Sequence, residues 1–184
     1  MSEVILEMTD KMDKSVDSFK KELAKVRTGR ASLAILDGIH VAAYGSSMSL
    51  NQVGSLTIPE SRLIVIQPWD PQLLPAIEKA ILKSDIGLNP MSDGKVVRLS
   101  IPQLTQERRK ELVKSVKKIA EEFRVAIRNV RREAIEILKK QKKDKEISED
   151  ELFKYQDEAQ NETDMYIKKI DDATAAKEKE VTEV

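Results

Sequence analysis

The residues in this 184-residue chain best suited to chemistry are cations at helical spacing. With Val116 as origin and 100° per residue, Lys110, Lys114, Lys117, Arg124, Arg128, Arg131 and Arg132 fall within one sector of about 100°. Glu121 interrupts that sector, whereas Glu111, Glu122, Glu133 and Glu136 lie outside it. Arg109 sits beside the apolar face, where its stem packs and its head snorkels outward. Arginine grips phosphate through two parallel N–H donors, so a clustered Arg124–Arg132 ridge points to polyanion binding. Two blander readings compete with it: a solvated helix face, or pairing with the acidic C-terminal helix inside a helical bundle. Segregation of the charges by sign favours the anion-binding reading.

Other chemistries find no residues. Cysteine is absent, which excludes disulfides, zinc knuckles, iron–sulfur clusters and thiol nucleophiles. One histidine, His40, excludes a two-histidine metal site, and its alternating apolar neighbours mark a partly exposed strand position. No phosphate loop, dinucleotide fingerprint, H-E-x-x-H or G-x-S-x-G motif is present. The chain is expected to be a binder rather than an enzyme, with no cofactor and no metal. No apolar run approaches the ~20 residues of a membrane span. The N-terminal residues lack a basic–apolar secretory pattern, so a cytoplasmic location is expected.

Net charge is zero, but the last eighty residues divide sharply. Residues 105–143 carry fourteen Lys/Arg and six Asp/Glu, whereas residues 144–184 carry six and fourteen. A +8 block is followed by a −8 block. Such asymmetry inside a neutral chain implies a charged partner.

The ridge needs a rigid carrier. Leu112, Val116, Ile119, Phe123, Ile127, Val130 and Ile137 form an apolar stripe beside it, predicting a long helix from Thr105. Ile5, Met12, Phe19 and Val26 recur every seven residues in an earlier helix that ends near Gly29. Ser148-Glu149-Asp150-Glu151 reads as the capping box of a third. The second and third helices would each run roughly 50 Å. Three one-faced helices hide their stripes by packing together, which predicts an elongated three-helix bundle from residues 1–30 and 105–184.

Residues 31–104 hold all six prolines and only eleven charged residues. Ile39–Tyr44, Leu63–Gln67 and Val96–Ile101 read as strands, Gly45-Ser46-Ser47 as a turn, and Pro71–Ser84 as a helix. The fold class is α+β: a small β/α/β domain inserted into the bundle. The chain crosses between the domains at Arg30, Ala31, Ser32 and Leu33, and again at Pro102, Gln103, Leu104 and Thr105. Two short tethers permit a hinge but not free tumbling.

Aromatics make up 4% of the chain, and Phe19 and Phe123 occupy core stripes. With no stacking platform evident, the ridge suits backbone contact with structured RNA, recognised by shape. Membrane binding fits less well, because the apolar stripe is needed for the core. The rival classes are a coiled-coil adaptor and an RNA-modifying enzyme, and for the latter the sequence offers no catalytic constellation.

Specific runs are spread along the chain: Lys25-Val26-Arg27-Thr28-Gly29-Arg30-Ala31-Ser32, Ile66-Gln67-Pro68-Trp69-Asp70 and Ser84-Asp85-Ile86-Gly87-Leu88-Asn89-Pro90. They continue through Leu104-Thr105-Gln106-Glu107-Arg108-Arg109-Lys110 and Arg124–Arg132 to Ile147-Ser148-Glu149-Asp150-Glu151. In these runs the chain resembles the bacterial ribosome recycling factors. The resemblance implies an L-shaped, tRNA-sized monomer that binds the large ribosomal subunit and its rRNA. With elongation factor G and that factor's GTP hydrolysis, such a protein splits post-termination ribosomes into subunits. Initiation factor 3 then acts to clear tRNA and prevent reassociation. The resemblance makes Arg131 the foremost RNA contact, supported by Arg109, Arg128 and Arg132, with Arg27 and Arg30 extending the surface; Lys117 and Arg124 join the expected contacts from their place in the cationic sector. One departure is Leu33, where many relatives carry proline.

Overall fold

The computed structural model describes residues 2–183. The chain forms two compact units: one ends at Thr28 and resumes over Gln106–Glu183, and the other is Gly29–Thr105.

The first unit is helical. Helix α1 spans Glu3–Lys25, and its first turn is held by the Ser2 hydroxyl, which accepts from the Ile5 amide at 3.3 Å. Its seven-residue pattern buries Ile5, Met8, Met12, Val16, Phe19 and Leu23.

The second unit holds the strands. β1 (His40–Ala43) and β2 (Ser46–Ser49) form a hairpin, followed by a one-turn helix α2 (Leu50–Val53). The turn expected at Gly45-Ser46-Ser47 is instead Tyr44-Gly45, and both serines belong to the return strand. Tyr44 (φ 51°) and Gly45 (φ 76°) both lie in the left-handed region, the requirement of a tight two-residue hairpin. The Tyr44 hydroxyl donates to the Asp70 carboxylate at 2.9 Å, which raises the phenol's pKa. Strands β3 (Gly54–Glu60) and β4 (Leu63–Pro68), helix α3 (Leu74–Lys83), and strands β5 (Pro90–Ser92) and β6 (Val97–Ser100) complete the unit. The four later strands form an antiparallel sheet in the order β3-β4-β6-β5. Alternation drives Ile64, Ile66, Val97 and Leu99 into a core shared with Val41, Leu74, Ile77 and Ile81.

Both ends of this unit are pinned to the β3–β4 turn. The Ala31 amide donates to Ser61 O at 2.7 Å, and the Ile101 amide donates to Arg62 O at 2.8 Å. Gly29 adopts φ +78° against Leu104, whose Cγ would stand 2.9 Å from any Cβ placed there. Only glycine meets both demands.

Helices α4 (Gln106–Lys143) and α5 (Glu149–Thr182) return the chain to the first unit. Their 38 and 34 residues give lengths of about 57 and 51 Å. Ion pairs Lys142–Glu149, Arg124–Asp171 and Lys117–Glu178 follow one another along the pair, fixing an antiparallel register. Between the helices, the Glu146 amide donates to Gln141 O at 2.9 Å and the Lys145 amide to Lys142 O at 3.1 Å. That is a Schellman cap with Lys145, at φ +60°, where glycine is usual. The capping box of α5 is formed: Ser148 Oγ accepts from the Glu151 amide, and Glu151 Oε2 accepts from the Ser148 amide at 2.8 Å. The Ser148 donors hold the Glu151 carboxyl below its ordinary pKa.

The three stripes meet in one core. Phe19 and Phe123 lie 5.3 Å apart between ring centroids, beside Met12, Val116, Ile127 and Ile170. Burial first, and a hydrogen bond with Asp13 second, push the Tyr166 phenol up to about 12, while the Lys169 ammonium sits 4.1 Å over its ring.

Candidate nucleic-acid interface

The cationic sector runs the length of α4, but its members differ in what they touch. Arg124 is tied most tightly, with only 23% of its side chain exposed. Its Nε lies 2.8 Å and its Nη2 2.7 Å from Asp171 Oδ1, while Nη1 lies 3.0 Å from Glu121. Desolvation works against its charge, but the hydrogen bonds to Asp171 and Glu121 outweigh it and raise its pKa. Arg128 reaches the other oxygen of Glu121 at 3.1 Å. The Arg124 and Arg128 donors together hold the Glu121 carboxyl below its usual value. Pairing with the acidic third helix, the blander reading of the ridge, therefore describes Arg124, whereas Arg128 pairs with Glu121 of its own helix. Lys117 stands 3.9 Å from Glu178 and is mostly exposed.

The remaining cations differ in exposure and in what they touch. Lys110 and Lys114 are exposed and form no ion pair among the described residues. Arg132 is exposed and makes one long contact, 3.4 Å, to the Asn129 side chain. Arg109 is half-buried at the edge of the stripe, and its Nη1 approaches Thr182 O at 3.5 Å. Arg131 is half-buried and donates through Nη1 to Gln160 Oε1, while Gln160 Nε2 donates to Asp164 at 2.7 Å. Its Nε is buried with no hydrogen-bond partner. Arg27 is exposed in the helical unit, whereas Arg30 is half-buried in the other unit, its Nε also buried and unpartnered.

Two grooves open along the α4–α5 seam. One, of about 250 Å³, is lined by Arg109, Lys110, Val113, Lys114, Lys117 and Thr182, with no acid among them. It suits phosphate oxygens. The other, about 490 Å³, is walled by Arg131, Arg132 and Lys139 on one side and by Gln156, Asp157 and Gln160 on the other. Those three α5 residues carried no expectation from sequence. Their position depends on the antiparallel register of two helices, which periodicity in one helix does not reveal. Among the described residues no group of His, Asp and Glu is arranged to hold a metal, and no helix is long and apolar enough to cross a membrane.

The family model described as ribosome recycling factor matches residues 19–181. The chain belongs to the ribosome recycling factor family. Similar relatives include the ribosome-recycling factor of Desulfotalea psychrophila, 72% identical over the whole of both chains. That of Symbiobacterium thermophilum is 54% identical over 99% of this chain and 98% of its own. Among solved structures, a solution structure of the ribosome recycling factor is 45% identical, covers 98% of this chain and 96% of its own, and superposes with a TM-score of 0.77. Models for the T. thermophilus ribosome recycling factor and the E. coli elongation factor G bound to the E. coli post-termination complex match at 46% identity. They cover 97% of each chain with a TM-score of 0.64. The ribosome recycling factor match includes every ridge residue named above and both crossings between the units. The α+β class expected from the sequence holds in these relatives and in this chain.

Proposed function

We propose that the chain acts in ribosome recycling by binding the large ribosomal subunit through the cationic side of α4. With elongation factor G and that factor's GTP hydrolysis, it then splits the post-termination ribosome. The observation that carries this reading is the family match across residues 19–181. The models of a relative with elongation factor G on a post-termination complex support the choice of partners.

The chemistry is attachment and force transmission. Phosphates of rRNA settle on Lys110, Lys114 and Lys117, with Arg109 beside them, and Arg131 and Arg132 meet the RNA farther along α4. Gln160 presets the Arg131 guanidinium, so little side-chain freedom is lost on contact. Arg27 and Arg30 extend the contact beyond α4. The acidic surface of α5 outside its seam with α4 repels phosphate and turns away from it. The chain makes and breaks no bond, holds no cofactor, and works as a cytoplasmic monomer, after which initiation factor 3 acts on the separated small subunit.

The hinge belongs to the same proposal. The crossings Arg30–Leu33 and Pro102–Thr105 are the expected segments, but Ala31 and Ile101 are fastened to Ser61 and Arg62. Bending therefore concentrates on the bundle side of those bonds, at Arg30 and over Pro102–Thr105. A coiled-coil adaptor loses its appeal, because the apolar stripes are buried against one another within a single chain. The test is direct: post-termination ribosomes mixed with the chain, elongation factor G and GTP should lose light scattering as subunits separate. Unchanged scattering would refute the splitting role.

A further inference from the structure

The wider groove differs chemically from the rest of the ridge. Arg131, Arg132 and Lys139 face Gln156 and Asp157 across about 490 Å³, and Glu136 also lines it. Neither Asp157 nor Glu136 pairs with a cation among the described residues, and the Gln156 amide makes no hydrogen bond there. Two unpaired carboxylates make this a poor phosphate site, since they oppose the anion that the neighbouring arginines attract. The narrower groove has no acid among its lining residues.

A neutral ring with donors and acceptors on its edge meets the same residues favourably. RNA readers hydrogen-bond unstacked bases along their Watson–Crick edges and stack them on guanidinium planes. Guanine alone among the four bases presents two adjacent donors, N1–H and the N2 amino group, on that edge. One carboxylate accepts both, as it accepts both N–H groups of an arginine. Its O6 then faces a donor, which the Gln156 amide or an arginine supplies. Gln160 is engaged on both sides, by Arg131 and Asp164, and acts as the fixed wall.

From this we propose that the α4–α5 groove takes an unpaired guanine of the bound RNA, with Asp157 accepting from N1 and N2 and the Arg131–Arg132 pair flanking the ring. The proposal rests on the RNA-binding reading above and adds a base-reading element to it. It also inverts the usual expectation for a carboxylate at an RNA surface. Electrostatics alone predicts that removing Asp157 tightens binding. A guanine contact predicts that it weakens binding, because a bidentate base contact discriminates by roughly 5- to 150-fold.

The test uses the full chain on purified large ribosomal subunits, probed with kethoxal, which modifies the N1–N2 edge of unpaired guanine. Affinity is measured in parallel by co-sedimentation. The wild-type chain should protect one guanine. Asp157→Ala should lose that protection and about tenfold in affinity, with its circular dichroism unchanged. Equal or tighter binding by Asp157→Ala with the same protections would overturn the proposal. So would wild-type binding with no guanine protected, and in that case the RNA-binding reading stands. Failure of the wild-type chain to bind subunits at all would bring down that reading and the groove with it.

Discussion

Arg124 on α4 sets two guanidinium nitrogens, at 2.8 and 2.7 Å, against one oxygen of Asp171 on α5, and turns its third to Glu121. Every nitrogen of that side chain faces a carboxylate, so Arg124 is a clamp between helices before it is an RNA contact. Arg132, eight positions on, is exposed with one long contact to Asn129. Arg124→Ala should therefore lower unfolding free energy by about 1 kcal/mol and change large-subunit affinity little. Arg132→Ala should do the reverse. Denaturant melts and co-sedimentation on the same two variants separate the roles, and identical profiles would dissolve the distinction.

The α4–α5 turn places Lys145 at φ +60°, the position a Schellman cap normally gives to glycine. Lys145→Gly relieves that strain while keeping both capping hydrogen bonds, because they use main-chain groups. An increase of about 0.5–1 kcal/mol in stability is expected in urea titrations. A loss would mean that the lysine side chain holds the turn.

Gly29→Ala should act in the opposite direction. Its Cβ would stand 2.9 Å from Leu104 Cγ at a φ of +78°. A cost of about 1–3 kcal/mol is expected. Adding Leu104→Ala removes the clash and leaves the backbone strain, so the double variant should recover none of the part due to φ. Thermal melts of the single and double variants test this.

Acid should loosen the β5–β6 hairpin early. Amides of Val96 and Lys95, and then Arg98, hold the Asp93 carboxyl at about 2 instead of its ordinary 3.8. A carboxyl depressed on folding contributes stability above its unfolded pKa and loses it as pH falls through the folded value. The loss should therefore develop between about pH 4 and pH 2, and Asp93→Asn should flatten it. Hydrogen exchange at Lys95 and Val96 across that range measures it, and an unchanged profile in the variant would refute the assignment.

The helical unit was legible because burial repeats at the period of the helix. Phe19, Phe123 and Ile170 fall on stripes that no other structure satisfies. The smaller unit was half legible. The apolar run of β4 announces itself, but β3 is an edge strand carrying Pro59, and β2 is Ser46-Ser47-Met48-Ser49, which reads as a turn. The cationic sector was visible from angles on one wheel. Which partners those cations meet was not, since the acids Asp171 and Glu178 and the amide of Gln160 reach Arg124, Lys117 and Arg131 only through the register of α5.

The central claim is that exposed cations of α4 hold RNA phosphates. Its most direct test is the salt dependence of large-subunit binding for the wild-type chain and for Lys114→Ala, which removes an exposed cation of the acid-free groove. With about four to six phosphates neutralised, log affinity against log salt should fall with a slope of roughly −3 to −5, and the variant should bind more weakly with a slope shallower by about one. A flat salt response, or a Lys114→Ala chain that binds as the wild type does, would contradict the account.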